Sequence, residues 1–294
     1  MSAPVLGPTA FREQRPGWLL APPGVLPPPR SDVPLLAVAH GTADPAGLAA
    51  LDALLERVRF LRPGVLTALS FVSVARPRVD EELARLLAQG VTELVVVPLL
   101  LGSGYHVRHD LPRALRQASG LPGGRAARIY QAPALGPDPM LAAVMQERLS
   151  AAHGTVFGTQ VVLAAAGSAD RRANADAVAM AGLLAERLGM PVRTGYVTTA
   201  EPSVSALLTR LARRGRPVAV ATYLLSPGEF SRRIDDSATL AALAALDVDR
   251  ERRRRICVSE PLGAHDQVAR LVLRRYDAAL AGPPARIGGP ASEG

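Results

Sequence analysis

Of the five histidines in this chain, His40 and His106 stand where side chains can do chemistry. Each follows a short apolar run. LLAVA ends at Ala39, directly before His40 and Gly41, and ELVVV (Glu93 to Val97) leads into PLLLGSGYHVRHDLP, Pro98 to Pro112. Runs of this length and valine content read as buried parallel strands. A histidine in the loop that follows such a strand lies on the carboxyl edge of the sheet, where open α/β folds bind ligands. Neutral imidazole is the commonest nitrogen ligand of divalent first-row metals, and with an ordinary pKa of about 6.5 it can accept a proton instead. Two such ligands leave the other coordination positions to water or substrate, which suits a metal in transit better than a structural one.

The neighbouring residues carry less. Asp110 reads as the N-cap of a helix begun at Pro112, with support of an imidazole as the alternative. His109 has no comparable claim, and His153 and His265 fall at helix ends away from these loops. Gly102 and Gly104 permit a positive φ or the close approach of a flat ligand. Arg76, Arg108 and Arg113 border the loops, and guanidinium pairs bidentately with carboxylates. All 34 basic residues are arginine, so a merely solvated side chain is an equally simple reading for each. Ser70, Ser73 and Ser103 lack the strained Gly-x-Ser-x-Gly elbow of a hydrolase, which argues against nucleophilic catalysis. None of the turns carries a Gly-rich phosphate fingerprint.

The elements that must position these residues follow in order. Residues 1–32 are rich in proline and read as a disordered tail. From Val33 a strand runs to Ala39, and a helix opens near Pro45 with Leu48, Leu51, Leu54, Leu55 and Val58 on one face. Then come a strand at Val65 to Phe71, the SVARP loop ending at Pro77, and a helix from Val79 to about Gln89 that Gly90 ends. The Glu93 strand follows, then a helix through Leu115, a strand near Ala127 to Gln131 and a helix from Met140 to Ala152. Four strands alternating with four helices predict a parallel sheet covered on both faces.

The second half repeats the first. VVLAAAGSADRRANADAVAMAGLLAERL (Val161 to Leu188) lays onto PLLAVAHGTADPAGLAALDALLERV with GTAD on GSAD at an offset of 126. PVRTGYVTTAEPSVSALLTRLARRG matches VLTALSFVSVARPRVDEELARLLAQG, and PVAVATYLLSPGEFSRRI (Pro217 to Ile234) matches ELVVVPLLLGSGYHVRHD. Near the end, SEPLGAHD (Ser259 to Asp266) is similar to QAPALGPDP. The period is too long for a solenoid, so the expected architecture is α/β with two duplicated domains, 33–155 and 156–282, each a four-stranded parallel sheet flanked by helices, and a second tail at 283–294. His40 aligns with Ala166 and His106 with Phe230. A duplicated domain needs its core in both copies but its chemistry only once, which marks 33–155 as the working half.

Composition bounds the function class. Apolar residues make up 48% of the chain, enough for two cores. No apolar run approaches the roughly 18 residues of a membrane span, and the start holds prolines and arginines where a signal peptide needs an apolar stretch. The cytoplasm is therefore the expected location, with no membrane partner. A net charge of +8 suggests nucleic acid at first sight. Against that, the densest run, Arg252 to Arg255, reads as a solvated helix end or loop, and 4% aromatic residues are too few for base stacking. The single cysteine, Cys257, excludes an internal disulfide and argues against a Cys-rich metal site.

AHGTADP, the SVARP loop and VVVPLLLGSGYHVRHDLP together resemble the sirohydrochlorin chelatases, small class II chelatases that insert a divalent metal into a tetrapyrrole. The resemblance extends from Val33 to about Leu280 and matches the long, two-repeat members. It implies two chelatase-like domains enclosing a cleft and a lyase-type metal chelatase, with His40 and His106 binding the metal and sharing its delivery and the removal of pyrrole protons. Gly41, Arg76, Gly102, Gly104 and Arg108 are then the candidates for holding the polycarboxylate macrocycle. Ser73 stands where many members carry an acidic residue. The implied partners are sirohydrochlorin or a similar tetrapyrrole and the substrate metal, Fe²⁺ for sirohaem or alternatively Co²⁺ for cobalamin. No other cofactor and no nucleic acid are implied, and the expected state is a monomer. The competing reading from another class is a non-catalytic metal or tetrapyrrole carrier on the same fold.

Overall fold

A computed structural model describes residues 33–214, 216–246 and 256–285. Strands β1 (Leu35–Ala39), β2 (Thr67–Phe71), β3 (Glu93–Pro98) and β4 (Arg128–Gln131) form a parallel sheet in the order β2-β1-β3-β4. Strands β5 (Gln160–Ala165), β6 (Val192–Tyr196), β7 (Val218–Tyr223) and β8 (Ile256–Val258) repeat that order as β6-β5-β7-β8. The register repeats too. Leu35 lies opposite Thr67 and Val95, and its counterpart Val161 lies opposite Val192 and Ala219.

Each sheet is buried on both faces because its central strands are apolar at nearly every position while alternate side chains point to opposite sides. On the outer face of the first sheet, Leu36, Val38, Leu94 and Val96 meet α2 (Val79–Ala88) and α3 (Leu111–Ala118) through Leu83, Leu86, Leu111 and Leu115. The second sheet does the same with α6 (Val204–Ala212) and α7 (Glu229–Leu246), through Leu207, Leu208, Ile234 and Ala238.

The inner faces behave differently. Leu35, Ala37, Val95 and Val97 from one sheet and Val161, Leu163, Ala219 and Ala221 from the other belong to one continuous core. Four helices share that core: α1 (Pro45–Leu61), α4 (Pro139–His153), α5 (Arg171–Leu188) and α8 (Asp266–Leu280). Helix α4 packs against α5, β7 and β8, whereas α8 packs against α1, β3 and β4. The last helix of each half thus covers the other half's sheet. The sequence reading assigned each helix to the sheet preceding it. Periodicity shows which face of a helix is buried, but not which sheet it meets.

Polar contacts hold the exchange in place. The Tyr276 hydroxyl donates to Val33 O at 2.6 Å, Arg275 donates to Ala134 O and Leu135 O at 3.0 and 2.9 Å, and Arg62 grips Asp277 with one contact at 2.9 Å. Arg57 likewise pairs with Asp266 at the start of α8. Residues 283–285 do not leave the fold as a tail, since Ala285 N donates to Ile129 O of β4 at 2.8 Å. The expected tails at 1–32 and beyond 285, and the Arg252 to Arg255 run, lie outside the described residues. Strand β2 starts at Thr67 rather than Val65, because Val65 is buried in a turn closed by its N–H on Arg62 O at 3.2 Å. No helix among the described residues is long and apolar enough to cross a membrane.

Candidate functional site

The carboxyl ends of both sheets open onto one cleft of about 930 Å³, lined by the loops after β1, β3, β5 and β7. Its lining is mainly apolar, with Leu99, Leu224 and Phe230 among the side chains. His40, Gly41, Gly102, Gly104 and His106 all reach it.

The turn that presents His40 is built the same way in both halves. Gly41 has φ +98°, and a Cβ there would fall 1.9 Å from Ser73 O. Its counterpart Gly167 has φ +84°, with a Cβ 2.0 Å from Thr198 O. Only glycine fits either position. The facing loop is a tight three-residue turn in each copy. Ala75 N donates to Ser73 O across Val74 (φ 62°), and Ala200 N donates to Thr198 O across Thr199 (φ 56°). A β-branched residue at positive φ is strained. Since both halves carry this strain and only one carries the histidine, the turn is scaffold and the imidazole is the addition.

His40 and His106 come together edge to face, with ring centroids 4.9 Å apart. His40 is exposed and the His106 side chain is 38% exposed, so both are open to the cleft. Asp110 Oδ2 lies 2.7 Å from His106 Nδ1. A carboxylate only accepts, so Nδ1 carries the proton and donates, which leaves the Nε2 lone pair for a metal. Asp110 does not cap the helix. A π-helical turn (His106–Asp110) already precedes α3, Asp110 itself has helical φ and ψ, and its side chain makes no capping bond. The helix therefore starts before Pro112, and the carboxylate is free to orient the imidazole. Turns of this kind inside helices are common at functional sites.

Among the described residues no three His, Cys, Asp or Glu side chains converge as a metal cluster. The nitrogen donors that come together on the cleft wall are the two imidazoles. Ser73 supplies backbone contacts only, its N–H donating to His40 O at 2.9 Å. His109 stacks on Tyr105 with centroids 4.7 Å apart. His153 ends α4, and His265 caps α8 while bonding Glu147 at 2.9 Å.

The other expected site residues are distributed unevenly. Gly102 and Gly104 line the cleft, neither has a positive φ, and both also approach α5. A Cβ on Gly104 would lie 3.2 Å from Ala173 Cβ, and one on Gly102 would lie 3.4 Å from Asp176 Oδ2. Between them Ser103 N donates to Asp176 Oδ2 at 2.6 Å. The contact recurs with the halves exchanged, where a Cβ on Gly47 would meet Pro227 O at 2.6 Å and one on Gly228 would meet Thr42 Oγ1 at 3.4 Å.

Arg76 and Arg108 stand outside the lining. Arg76 is exposed and paired with Glu81 of α2, and Arg108 turns toward His109, its Nη2 3.4 Å from Nε2. The arginine that does line the cleft is Arg232, which pairs with Asp44 across the two halves. Sequence reasoning missed it although the repeat places SRRI opposite VRHD, and so Arg232 opposite Arg108. The Arg232 guanidinium and the Ala46 N–H hold the Asp44 carboxyl below the usual carboxylate range. At the floor, the buried Tyr223 hydroxyl donates to Leu101 O at 2.8 Å, and burial pushes its phenol pKa up.

Two parallel α/β halves closing on one cleft, with a carboxylate-oriented imidazole pair on one wall only, define a duplicated α/β protein with an asymmetric cleft. The chain belongs to the CbiX family, whose model matches it twice, over residues 34–152 and 160–279. The sirohydrochlorin ferrochelatase of Priestia megaterium is 26% identical over 243 residues, which are 81% of this chain and 87% of that protein. The sirohydrochlorin cobaltochelatase of Methanothermobacter thermautotrophicus is 27% identical over 132 residues, 40% of this chain but 91% of its own length, so it corresponds to about one half. The solved structure of SirB from Bacillus subtilis with Fe³⁺ has the same fold, with a TM-score of 0.73 at 22% identity over 85% of this chain and 96% of that one.

Proposed function

We propose that this chain is a sirohydrochlorin chelatase that inserts Fe²⁺ into the metal-free tetrapyrrole, working in the cytoplasm as a monomer. The observation that carries this reading is the His40–His106 pair, 4.9 Å apart on the wall of a cleft of about 930 Å³ and replaced by Ala166 and Phe230 in the other half. Fe²⁺ is preferred to Co²⁺ because the relative that matches both halves is a ferrochelatase, whereas the cobaltochelatase matches about one half. A monomer suffices because one chain supplies both walls of the cleft. In this reading 33–155 is the working half and 156–282 the half that completes the enclosure.

Insertion exchanges a divalent cation for two pyrrole protons. The substrate metal must shed water as it reaches the macrocycle, and the protons need an acceptor. A neutral imidazole can hold the metal through Nε2 or take up a proton, but not both at once. His40 and His106 share the two tasks: while one retains the metal the other is free to accept. Asp110 keeps His106 in the tautomer that has its lone pair on Nε2. The apolar walls fit a flat macrocycle and exclude water from the metal as it transfers. Gly41, Gly102 and Gly104 set the backbone path of the loops that border it.

An anaerobic assay of sirohydrochlorin with Fe²⁺, Co²⁺ and Ni²⁺, followed by absorbance, tests the reading. The wild type is expected to accelerate insertion, and replacing both His40 and His106 with alanine to remove about 10²- to 10⁴-fold of that acceleration. No acceleration with any of the three metals would leave the carrier reading in its place. An unchanged rate in the double variant would overturn the site assignment instead.

A further inference from the structure

We infer that Arg232 is a carboxylate-binding subsite contributed by the half that lacks the histidines, held in reserve by Asp44 until a substrate carboxylate displaces it. This rests on the polycarboxylate tetrapyrrole reading above. Arg232 is the one arginine among the described residues that line the cleft, and the other charged side chains of that lining, Asp44 and Glu229, are acidic. Arg232 lies near the start of α7, close to Phe230, which occupies the place of His106 and also lines the cleft. One wall therefore offers imidazole to a metal, while the opposite one offers an aromatic ring and a guanidinium to a flat anionic ligand.

The Arg232–Asp44 pair has the form of a latch. Arg232 reaches Asp44 through Nη1 alone, and its side chain remains 61% exposed while that of Asp44 is 16% exposed. Asp44 is already committed elsewhere, since Oδ1 accepts the Ala46 N–H at 2.9 Å and caps α1. It keeps that role when Arg232 leaves. An exposed pair in high dielectric holds weakly. A planar guanidinium that makes one contact with Asp44 can make two parallel ones with a substrate carboxylate, so exchange of partners favours the ligand. Once Arg232 has left, the Asp44 carboxylate stays at the N-terminus of α1, which tolerates its charge.

The test is binding of metal-free sirohydrochlorin under anaerobic conditions, read by fluorescence, beside the insertion assay on the wild type. Arg232→Ala is expected to raise Kd about tenfold, and Arg232→Lys, which keeps the charge but loses the fork, to fall between it and wild type. Asp44→Asn keeps an N-cap oxygen but removes the competing charge, and should lower Kd. With the fully methyl-esterified macrocycle as probe, wild type and Arg232→Ala should bind alike. A wild type that binds and inserts while Arg232→Ala shows unchanged Kd, or loses as much affinity for the ester as for the acid, would overturn the subsite and leave the enzyme reading intact. An unchanged or higher Kd for Asp44→Asn would overturn the latch. If wild type neither binds nor inserts, the chelatase reading falls and the subsite with it.

Discussion

Asp110 fixes the tautomer of one of two neighbouring imidazoles. Its carboxylate lies 2.7 Å from His106 Nδ1, while His40 Nδ1 has only the Gly41 carbonyl at 3.3 Å. A carboxylate behind a ligating histidine usually changes metal affinity by about 10- to 100-fold. Asp110→Ala should therefore weaken Co²⁺ binding by that factor in equilibrium dialysis, and Asp110→Asn, which retains an acceptor, by less. A capping role would give a different result, a loss of about 1 kcal/mol in thermal stability with metal affinity intact. The histidines themselves were legible in the sequence, because the second copy supplies an internal control in which the strands persist and the imidazoles do not. For Asp110 the sequence offered support of an imidazole only as the alternative to a cap. Pro112 marks a helix start by local rules, and nothing in the local sequence announces that a π-helical turn already runs from His106.

At the scale of elements, the loop that carries His106 is secured from the other half. Gly102 and Gly104 lie flat on α5, and Asp176 of that helix takes the Ser103 N–H at 2.6 Å. Removing the acceptor leaves a part-buried amide without a partner, at a cost of about 1–3 kcal/mol. Asp176→Ala is expected to lower the melting temperature accordingly and to slow insertion as well, since the turn it secures leads into His106. Asp176→Asn preserves an acceptor oxygen and should recover most of both. A stability loss with the insertion rate unchanged would make Asp176 purely a contact between halves. The sequence reading of these glycines named a positive φ or a flat ligand and did not include α5, because the chain alone carries no distance between a loop of one repeat and a helix of the other.

For the whole molecule, the alternation of strands and helices and the duplication could be read from the chain, but the crossing of the final helices could not. The apolar stripe on α8 shows which face of the helix is buried, not which sheet it meets. What selects β3 and β4 is three-dimensional: Arg57 and Arg62 on α1 meet Asp266 and Asp277, Arg275 reaches Ala134 O and Leu135 O, and Tyr276 reaches Val33 O. All of these partners lie in the first half. The cleft is formed between halves that cannot separate without uncovering both sheets, so the geometry around His40 and His106 depends on residues far along the chain. Leu271 of α8 and Met145 of α4 are both buried in the shared core. Truncating either to alanine should cost about 2–5 kcal/mol. The two losses should appear in opposite places, with amide exchange rising first in β3 and β4 for Leu271→Ala and first in β7 and β8 for Met145→Ala. Exchange measured by mass spectrometry on the two variants checks this, and faster exchange in the sheet that precedes each helix in sequence would contradict the crossing.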